Sequence, residues 1–207
     1  MLVGLDFDNT IVSYDALFHK CALEAGEIEA GVEPTKVHVR DNLRAQGKEE
    51  YWIHLQGYVY GARMAEAEAF PGALDFMRWA GGEDGMDLAI VSHKTRHPFR
   101  GPKYDLHDAA RTWVTHSLVD RSGPIIAEEK MFFELTKADK WHRIGAIGCD
   151  YFIDDLPEIL TDQAFPRDTE PFLFDPANAH GVLDLPRVTS WADFKDQCQR
   201  LLSNNNQ

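Results

Sequence analysis

The chain has 207 residues, a length that fits one large domain or one domain with a small insert. Its hydrophobic content of 44% is ample for a packed core, so wholesale disorder is excluded. A formal net charge of −13 argues against a protein that holds nucleic acid on a broad basic face, whereas small anionic substrates respond to the local charge and stay compatible.

The cysteines and the first residues indicate the compartment. Cys21, Cys149 and Cys198 are widely spaced and form no CxxC pair, so neither a disulfide framework nor a zinc knuckle is expected. The opening MLVGLDFDNT does not have the pattern of a secretory signal, and no stretch approaches the ~18 apolar residues of a membrane span. We therefore expect a cytoplasmic protein with neither a membrane nor a nucleic-acid partner.

Short apolar runs with the character of β-strands recur along the chain. They are Val3–Phe7, Leu88–Val91, Met131–Leu135, Tyr151–Ile153 and Phe172–Phe174. Helical patterns lie between the later runs; the clearest is Asp105–Leu118, and the last begins at a capping-box pattern formed by Ser190 and Asp193. This alternation predicts an α/β fold with a Rossmann-like parallel sheet.

The interval between the first two strands is about 80 residues, far more than one crossover helix needs. The excess has helical patterns, which are Tyr14–Ala25, Thr35–Gln46 and Glu49–Ala67. The segment FPG at residues 70–72 marks its end. We therefore expect an α/β core of residues 1–12 and 69–207 with a helical insert at 13–68. The final SNNNQ is expected to fray.

The segment DFDNT, residues 6–10, follows the first predicted strand, and loops at the carboxyl ends of parallel strands line the ligand crevice. Asp6 and Asp8 are two residues apart, so both side chains can project on the same side. One carboxylate could attack phosphorus while the other transfers protons. The alternative is a plain turn, because turns favour Asp, Asn and Thr.

A second acidic pair, Asp154 and Asp155, follows YFI at the end of another predicted strand. Adjacent carboxylates repel each other unless a cation neutralises them, and carboxylate oxygens are suited to Mg²⁺. The alternative is that Asp155 caps a helix that begins near Pro157.

Two further strand ends carry groups that could bind phosphate. Ser92 ends the second predicted strand, where its hydroxyl could bind a phosphate oxygen; an ordinary strand-end serine is the alternative. The segment TKADKWHRI after the third strand supplies Lys137 and Lys140. A lysine there would offset the repulsion between a carboxylate nucleophile and an incoming phosphate. We favour Lys140, at the start of the following helix, with Lys137 second.

These four elements, in this order, resemble the motifs of the haloacid dehalogenase (HAD) superfamily, specifically its phosphatase branch. DFDNT resembles the first motif, Ser92 the second, Lys140 the third and IDD the fourth. The insert occupies a position similar to that of the family's helical cap domain. The resemblance implies a HAD-like core with a small α-helical cap. It further implies a Mg²⁺-dependent phosphatase for a small soluble phosphomonoester, such as a sugar phosphate or a nucleotide.

The resemblance also implies a role for each residue. Asp6 attacks phosphorus and becomes an aspartyl-phosphate, and Asp8 protonates the leaving oxygen and then activates water. Ser92 and Lys140 hold the phosphoryl group. The implied ligands of Mg²⁺ are Asp6, the carbonyl of Asp8, and Asp154 or Asp155. The direct ligand stays open, because this chain has two acidic residues where the family has Gly-Asp.

Other activities stay open at this point. Family members that are not phosphatases often lack the second aspartate of the first motif, so Asp8 favours phosphate ester hydrolysis over dehalogenation. A phosphomutase or phosphotransferase, in which another hydroxyl replaces water, is the enzymatic alternative. A catalytically silent phosphate-binding module is the alternative outside enzymes.

The segment HKTRHPFRGPK, residues 93–103 and here called the basic loop, carries four Lys or Arg and no acidic residue. It follows the predicted phosphate-binding serine, so we predict that it recognises a second phosphate or a carboxylate on the substrate, with Arg96 as the forked donor. The residues assigned to substrate binding are Thr10, Ser92, His93, Lys94 and Arg96. The alternative is a solvated loop balanced by acidic neighbours such as Asp105.

Overall fold

The computed structural model describes residues 1–205 and is built on a six-stranded parallel sheet. The strands are β1 (Leu2–Leu5), β2 (Val12–Ser13), β3 (Glu68–Ala69), β4 (Asp87–His93), β5 (Met131–Glu134), β6 (Tyr151–Asp154), β7 (Glu170–Phe174) and β8 (Arg187–Val188). The sheet has the order β5-β4-β1-β6-β7-β8, so β4 and β6 flank β1. The short strands β2 and β3 pair with each other in antiparallel fashion. The predicted α/β fold with a parallel sheet is confirmed.

The helices differ from the predicted ones in two places: one of them ends earlier inside the insert, and a helix at Ala73–Ala80 was not predicted. They are α1 (Asp15–Glu24), α2 (Lys36–Ala45), α3 (Glu49–Tyr60), α4 (Ala73–Ala80), α5 (Leu106–Ser117), α6 (Lys137–Ala146), α7 (Pro157–Leu160) and α8 (Trp191–Asn205). The prediction of one helix to Ala67 is wrong: the backbone of Gly61, with φ −108° and ψ −88°, leaves the helical region, and a separate 3₁₀ turn follows at Met64–Glu66. None of the helices in the described residues is long and apolar enough to cross a membrane. The last two residues of the tail predicted to fray, 206 and 207, lie outside the described part of the chain.

Both faces of the sheet are buried, as a parallel sheet requires. Successive residues of a strand point to opposite faces. Ile90 accordingly enters the larger of two hydrophobic clusters and Val91 the smaller, and Ile153 and Phe152 alternate in the same way. The Trp191 ring at the start of α8 belongs to the larger cluster. This packing fixes the strand ends that carry the polar residues described below.

Helices α1 to α3 lie between β2 and β3, whose pairing brings the two ends of this segment together. The three helices pack against one another. The rings of Phe18 and Trp52 are 5.0 Å apart in their shared interior, and both residues are buried. Trp52 is therefore a packing residue. The division into an α/β core and a separate helical cap domain stays a proposal.

The basic loop and the residue that follows it pack closely against α3. A Cβ atom built on Gly57 would lie 2.6 Å from Cβ of Pro98, and one built on Gly61 would lie 2.5 Å from Cβ of Tyr104. Only a residue without a side chain permits an approach this close. The glycines at these two positions therefore allow the basic loop and Tyr104 to pack directly against the insert.

Replacing Gly57 with alanine is expected to destabilise the protein. Overpacking costs about 1–3 kcal/mol, and a Cβ at 2.6 Å from an atom of the Pro98 ring places this site in the upper part of that range, above the roughly 1 kcal/mol that alanine contributes over glycine in a helix. Gly145→Ala in α6 is the matched control, because a Cβ there would lie 3.4 Å from its nearest neighbour, the Pro166 ring. Thermal unfolding should show a Tm lower by roughly 2–6 °C for Gly57→Ala and an unchanged or higher Tm for Gly145→Ala. Equal changes of Tm in the two variants would contradict this close packing between the basic loop and α3.

Candidate active site

Buried polar side chains from three neighbouring strands meet at the carboxyl edge of the sheet. Asp6 directly follows β1, Ser92 lies near the end of β4, and Asp154 is the last residue of β6. Parallel strands end at the same edge, so residues far apart in the sequence come together there. The Ser92 hydroxyl donates a hydrogen bond to Oδ1 of Asp6 at 2.9 Å.

Lys140 reaches this edge from α6. Its side chain is buried, and Nζ lies 2.6 Å from Oδ1 of Asp6 and 2.6 Å from Oδ2 of Asp154. Burial lowers the pKa of Lys140, but the two carboxylates outweigh burial and raise it above its ordinary value, so the amine keeps its charge. Lys137, the second candidate, is partly exposed and pairs with Glu158 at 3.4 Å. The structure thus brings Lys140 rather than Lys137 to Asp6.

Three carboxylates form an acidic cluster beside this lysine. Asp6, Asp154 and Asp155 each offer an oxygen that lies within 4.8 Å of the other two. Burial raises the pKa of Asp154 to about 7, against the opposing charge of Lys140, and burial with the charges of the other two carboxylates raises the pKa of Asp155 well above its ordinary value. A bound cation would offset the repulsion among the three carboxylates, and hard oxygen donors fit Mg²⁺.

The two adjacent aspartates have different surroundings. Both oxygens of Asp154 are engaged, Oδ2 by Lys140 and Oδ1 by the backbone N–H of Leu156 at 2.9 Å. Asp155 is partly exposed, and its backbone N–H donates to the buried hydroxyl of Thr10 at 3.1 Å. The capping alternative for Asp155 is not observed, because α7 has Leu156 at its N-cap and no side-chain cap. Asp155 is therefore the less engaged carboxylate of the pair, and Thr10 holds its backbone.

Asp8 is bound by a different set of side chains. Nζ of Lys94 lies 2.9 and 2.8 Å from its two oxygens, and the Tyr14 hydroxyl donates to Oδ1 at 2.5 Å. Burial raises the pKa of Asp8, but the charge and hydrogen bonds of Lys94, with the bond from Tyr14, outweigh it and lower the pKa below its ordinary value. In this arrangement Asp8 is ionised and Lys94 is its buried counter-ion.

Two other residues predicted to bind substrate contact protein groups. Nε of Arg96 donates to Oδ2 of Asp105 at 3.0 Å, and 65% of the Arg96 side chain is exposed. This pairing matches the alternative of a charge-balanced loop. The imidazole Nε2 of His93 lies 3.2 Å from the carbonyl oxygen of Leu135. A contact of Arg96 or His93 with substrate stays a prediction.

Sequence reasoning missed two residues of the insert that lie close to this site. Tyr14 binds Asp8, and the Lys36 ammonium lies 5.6 Å from the ring centroid of Tyr60. That tyrosine ring also lies 4.8 Å from Nζ of Lys94, so it faces the site. Neither missed residue belongs to a motif. The position of Tyr14 four residues after DFDNT was the one signal of proximity in the sequence.

The fold corresponds to that of a known class of proteins. A HAD-superfamily hydrolase from Ehrlichia chaffeensis has a TM-score of 0.57 and 13% identity, covering 97% of this chain and 97% of its own. A HAD family hydrolase from Deinococcus radiodurans, solved with bound phosphate and sodium, has a TM-score of 0.55 and 15% identity, covering 93% of this chain and 92% of its own. The chain has the fold of HAD-superfamily hydrolases, and the resemblance predicted from the sequence is confirmed at that level.

Relatives found by sequence extend over nearly the whole chain. A protein named "Putative nucleotidase" from Bacillus cereus is 22% identical over 209 residues, covering 95% of this chain and 97% of its own. A protein from Oceanobacillus iheyensis with the same name, "Putative nucleotidase", is 21% identical over 201 residues, covering 94% of this chain and 97% of its own. No protein-family model matches the chain.

Proposed function

We propose that the protein is a Mg²⁺-dependent phosphatase that hydrolyses a small phosphomonoester. The observation that carries the proposal is the buried Lys140 ammonium, 2.6 Å from a carboxylate oxygen of Asp6 and 2.6 Å from one of Asp154. A positive charge fixed there offsets the repulsion that an anionic phosphate meets beside an anionic nucleophile. The nucleotidase names of the two bacterial relatives and the phosphate in the Deinococcus structure support this class of reaction.

In the first step, an oxygen of Asp6 attacks phosphorus, the ester P–O bond breaks, and an aspartyl-phosphate forms. Ser92 and Lys140 both bind Oδ1 of Asp6, and within residues 1–205 no hydrogen bond is made to Oδ2. Oδ2 is therefore the candidate nucleophile. The Ser92 hydroxyl and the Lys140 ammonium are the groups that hold the phosphoryl oxygens during the attack.

Asp8 transfers the protons. An entering phosphate dianion competes with Asp8 for Lys94, and once Lys94 turns to the phosphate, burial favours the protonated form of Asp8. The protonated Asp8 donates to the leaving oxygen. It then accepts a proton from water, whose oxygen attacks phosphorus, breaks the bond to Asp6 and releases inorganic phosphate.

The metal would be held by the carboxylates of Asp6 and Asp155, with Asp154 and the carbonyl of Asp8 as further ligands. A bound Mg²⁺ supplies positive charge that offsets the charge of the phosphoryl group. It also favours the ionised forms of Asp154 and Asp155, whose pKa values are raised in its absence.

The test is a steady-state assay of phosphate release in Mg²⁺ over sugar phosphates, nucleoside monophosphates and phospho-amino acids. Nucleoside monophosphates come first because of the names of the bacterial relatives. We expect steady release without any added acceptor. Phosphate transfer that needs an added alcohol would identify a phosphotransferase instead, and binding without turnover would identify a silent module.

A further inference from the structure

Lys36 brings a positive charge from the insert toward the site. It is the first residue of α2, and its backbone N–H donates to Oδ1 of Asp15 at 2.8 Å, which ties the start of this helix to α1. Its ammonium lies 5.7 Å from the ring centroid of Phe18 and 5.6 Å from that of Tyr60. The side chain is half-buried and lies along these aromatic rings.

Tyr60 connects Lys36 with the residues that bind Asp8. Its ring centroid lies 4.8 Å from Nζ of Lys94 and 4.8 Å from the ring centroid of Tyr14. Both of these residues bind the Asp8 carboxylate. Tyr60 is the last residue of α3, the helix against which the basic loop packs. This packing holds Tyr60 in its position between Lys36 and Lys94.

The charge of Lys36 is not matched by a contacting carboxylate. Within residues 1–205 it takes part in no ion pair closer than 4.0 Å, unlike the two lysines that contact the catalytic aspartates. Burial lowers the pKa of Lys36, but Tyr60 and the charges of Asp8 and Asp155 outweigh burial and raise it, so the charge is kept. A half-buried ammonium that has no contacting carboxylate is stabilised when an anion binds to it.

The basic loop, predicted to recognise a second anion on the substrate, has its first two cations engaged. Lys94 is the counter-ion of Asp8, and Arg96 is paired with Asp105. Lys36 is near the same site and carries the charge that such a contact needs.

We propose that Lys36 determines substrate specificity by binding an oxyanion on the leaving group, a second phosphate or a carboxylate separate from the reacting phosphoryl group. This inference rests on the proposed phosphatase function and adds the substrate class: phosphomonoesters with a second anionic group. The contact lies away from the reacting phosphorus, where it serves binding and orientation. Its loss should therefore appear mainly in KM.

Two matched substrate pairs test the inference. Phosphoglycerate and glycerol phosphate differ by a carboxylate, and a nucleoside 3′,5′-bisphosphate and the 5′-monophosphate differ by one phosphate. Lys36→Met removes the charge and keeps the apolar contact with Phe18 and Tyr60. We expect kcat/KM to fall by ~10–100-fold for the anion-bearing member of one pair, mostly through KM, and by less than about 3-fold for its partner. The pair that shows the selective loss tells whether the second anion that Lys36 binds is a carboxylate or a phosphate.

Two further variants complete the experiment. Lys36→Arg should restore much of the loss, because it restores the charge. Lys20→Met is the control, since Lys20 is an exposed lysine of α1 paired with Glu66, and neither substrate pair should be affected. Lys36→Gln provides a second neutral variant if the methionine variant loses its fold by circular dichroism.

The two proposals fail in different ways. Wild-type protein that releases no phosphate from these four substrates or from any compound of the wider phosphate-release screen would overturn the phosphatase function and this inference with it. Turnover of other screened compounds with none on the anion-bearing members of the two pairs would overturn the inference alone. Wild-type turnover combined with equal losses on both members of each pair in Lys36→Met would overturn the inference alone, because Lys36 would then act on the phosphoryl group common to all four.

Discussion

Asp6→Asn is expected to lower kcat by roughly 10³-fold or more, because an amide is a far weaker nucleophile toward phosphorus than a carboxylate. The fold should persist, since Lys140 keeps its contact with Asp154 at 2.6 Å. Phosphate release by purified variant and wild-type protein, with matched circular dichroism spectra, measures the effect. Asp75→Asn is the control, because the Asp75 side chain on α4 is 84% exposed. Near-normal turnover in Asp6→Asn would rule out the proposed mechanism.

Asp8→Asn is expected to block a different step of the reaction from Asp6→Asn. The nucleophile is still present, so an activated substrate can still phosphorylate Asp6, but the base for hydrolysis of the intermediate is lost. Intact-protein mass spectrometry after acid quench should then show one added phosphoryl group on Asp8→Asn and none on Asp6→Asn. The same adduct on both variants would place the nucleophile elsewhere.

Removal of divalent metal is expected to abolish turnover, and Mg²⁺ should restore it. The carboxylates of Asp6, Asp154 and Asp155 lie close enough together to hold a hard cation. Ca²⁺ should inhibit, because its larger shell accepts bidentate carboxylates and would engage both oxygens of Asp6. Assays after chelation, with each ion added back, measure this. Mg²⁺ should also raise Tm, because an ion at 100 times its Kd stabilises the fold by about 2.7 kcal/mol.

Asp155→Asn tests the assignment of the ligands. It removes the least engaged carboxylate of the cluster, so the Mg²⁺-dependent rise in Tm should shrink, and more Mg²⁺ should be needed for half-maximal activity. An unchanged Mg²⁺ response in Asp155→Asn would indicate that Asp154 is the direct ligand of the metal.

In the chelation experiment on the wild-type protein, full activity in excess chelator would refute the proposal that turnover needs a divalent metal.

Much of the fold and the order of the candidate site could be predicted from the sequence. Apolar runs of strand length alternate with helical patterns, and this local signal is enough for a parallel sheet. Once the strands were assigned, the rule that parallel strands end at one edge predicted that Asp6, Ser92 and Asp154 meet, and the structure brings these three together. Elements of two residues, such as β2 and β3, escaped prediction because they are too short to show a period.

The direction of each charged side chain was not predictable in the same way. Lys137 and Lys140 lie three residues apart in one helix, and only the packing of that helix against the sheet decides that Lys140 turns inward. The basic loop shows four positive charges in the sequence, but their partners come from distant segments: Asp8 for Lys94 and Asp105 for Arg96.

By itself, the sequence determined the α/β class, the order of the strands along the chain and the acidic and hydroxyl groups at their ends, because these follow from local pattern and from the geometry of any parallel sheet. The tertiary structure alone decided that Tyr14 of the insert contacts Asp8, that Tyr60 faces Lys94 and that Lys36 lies against Tyr60. That arrangement depends on glycine contacts between the basic loop and α3, and on helix packing within residues 13–68. Such contacts join residues far apart in the chain, and no local periodicity records them.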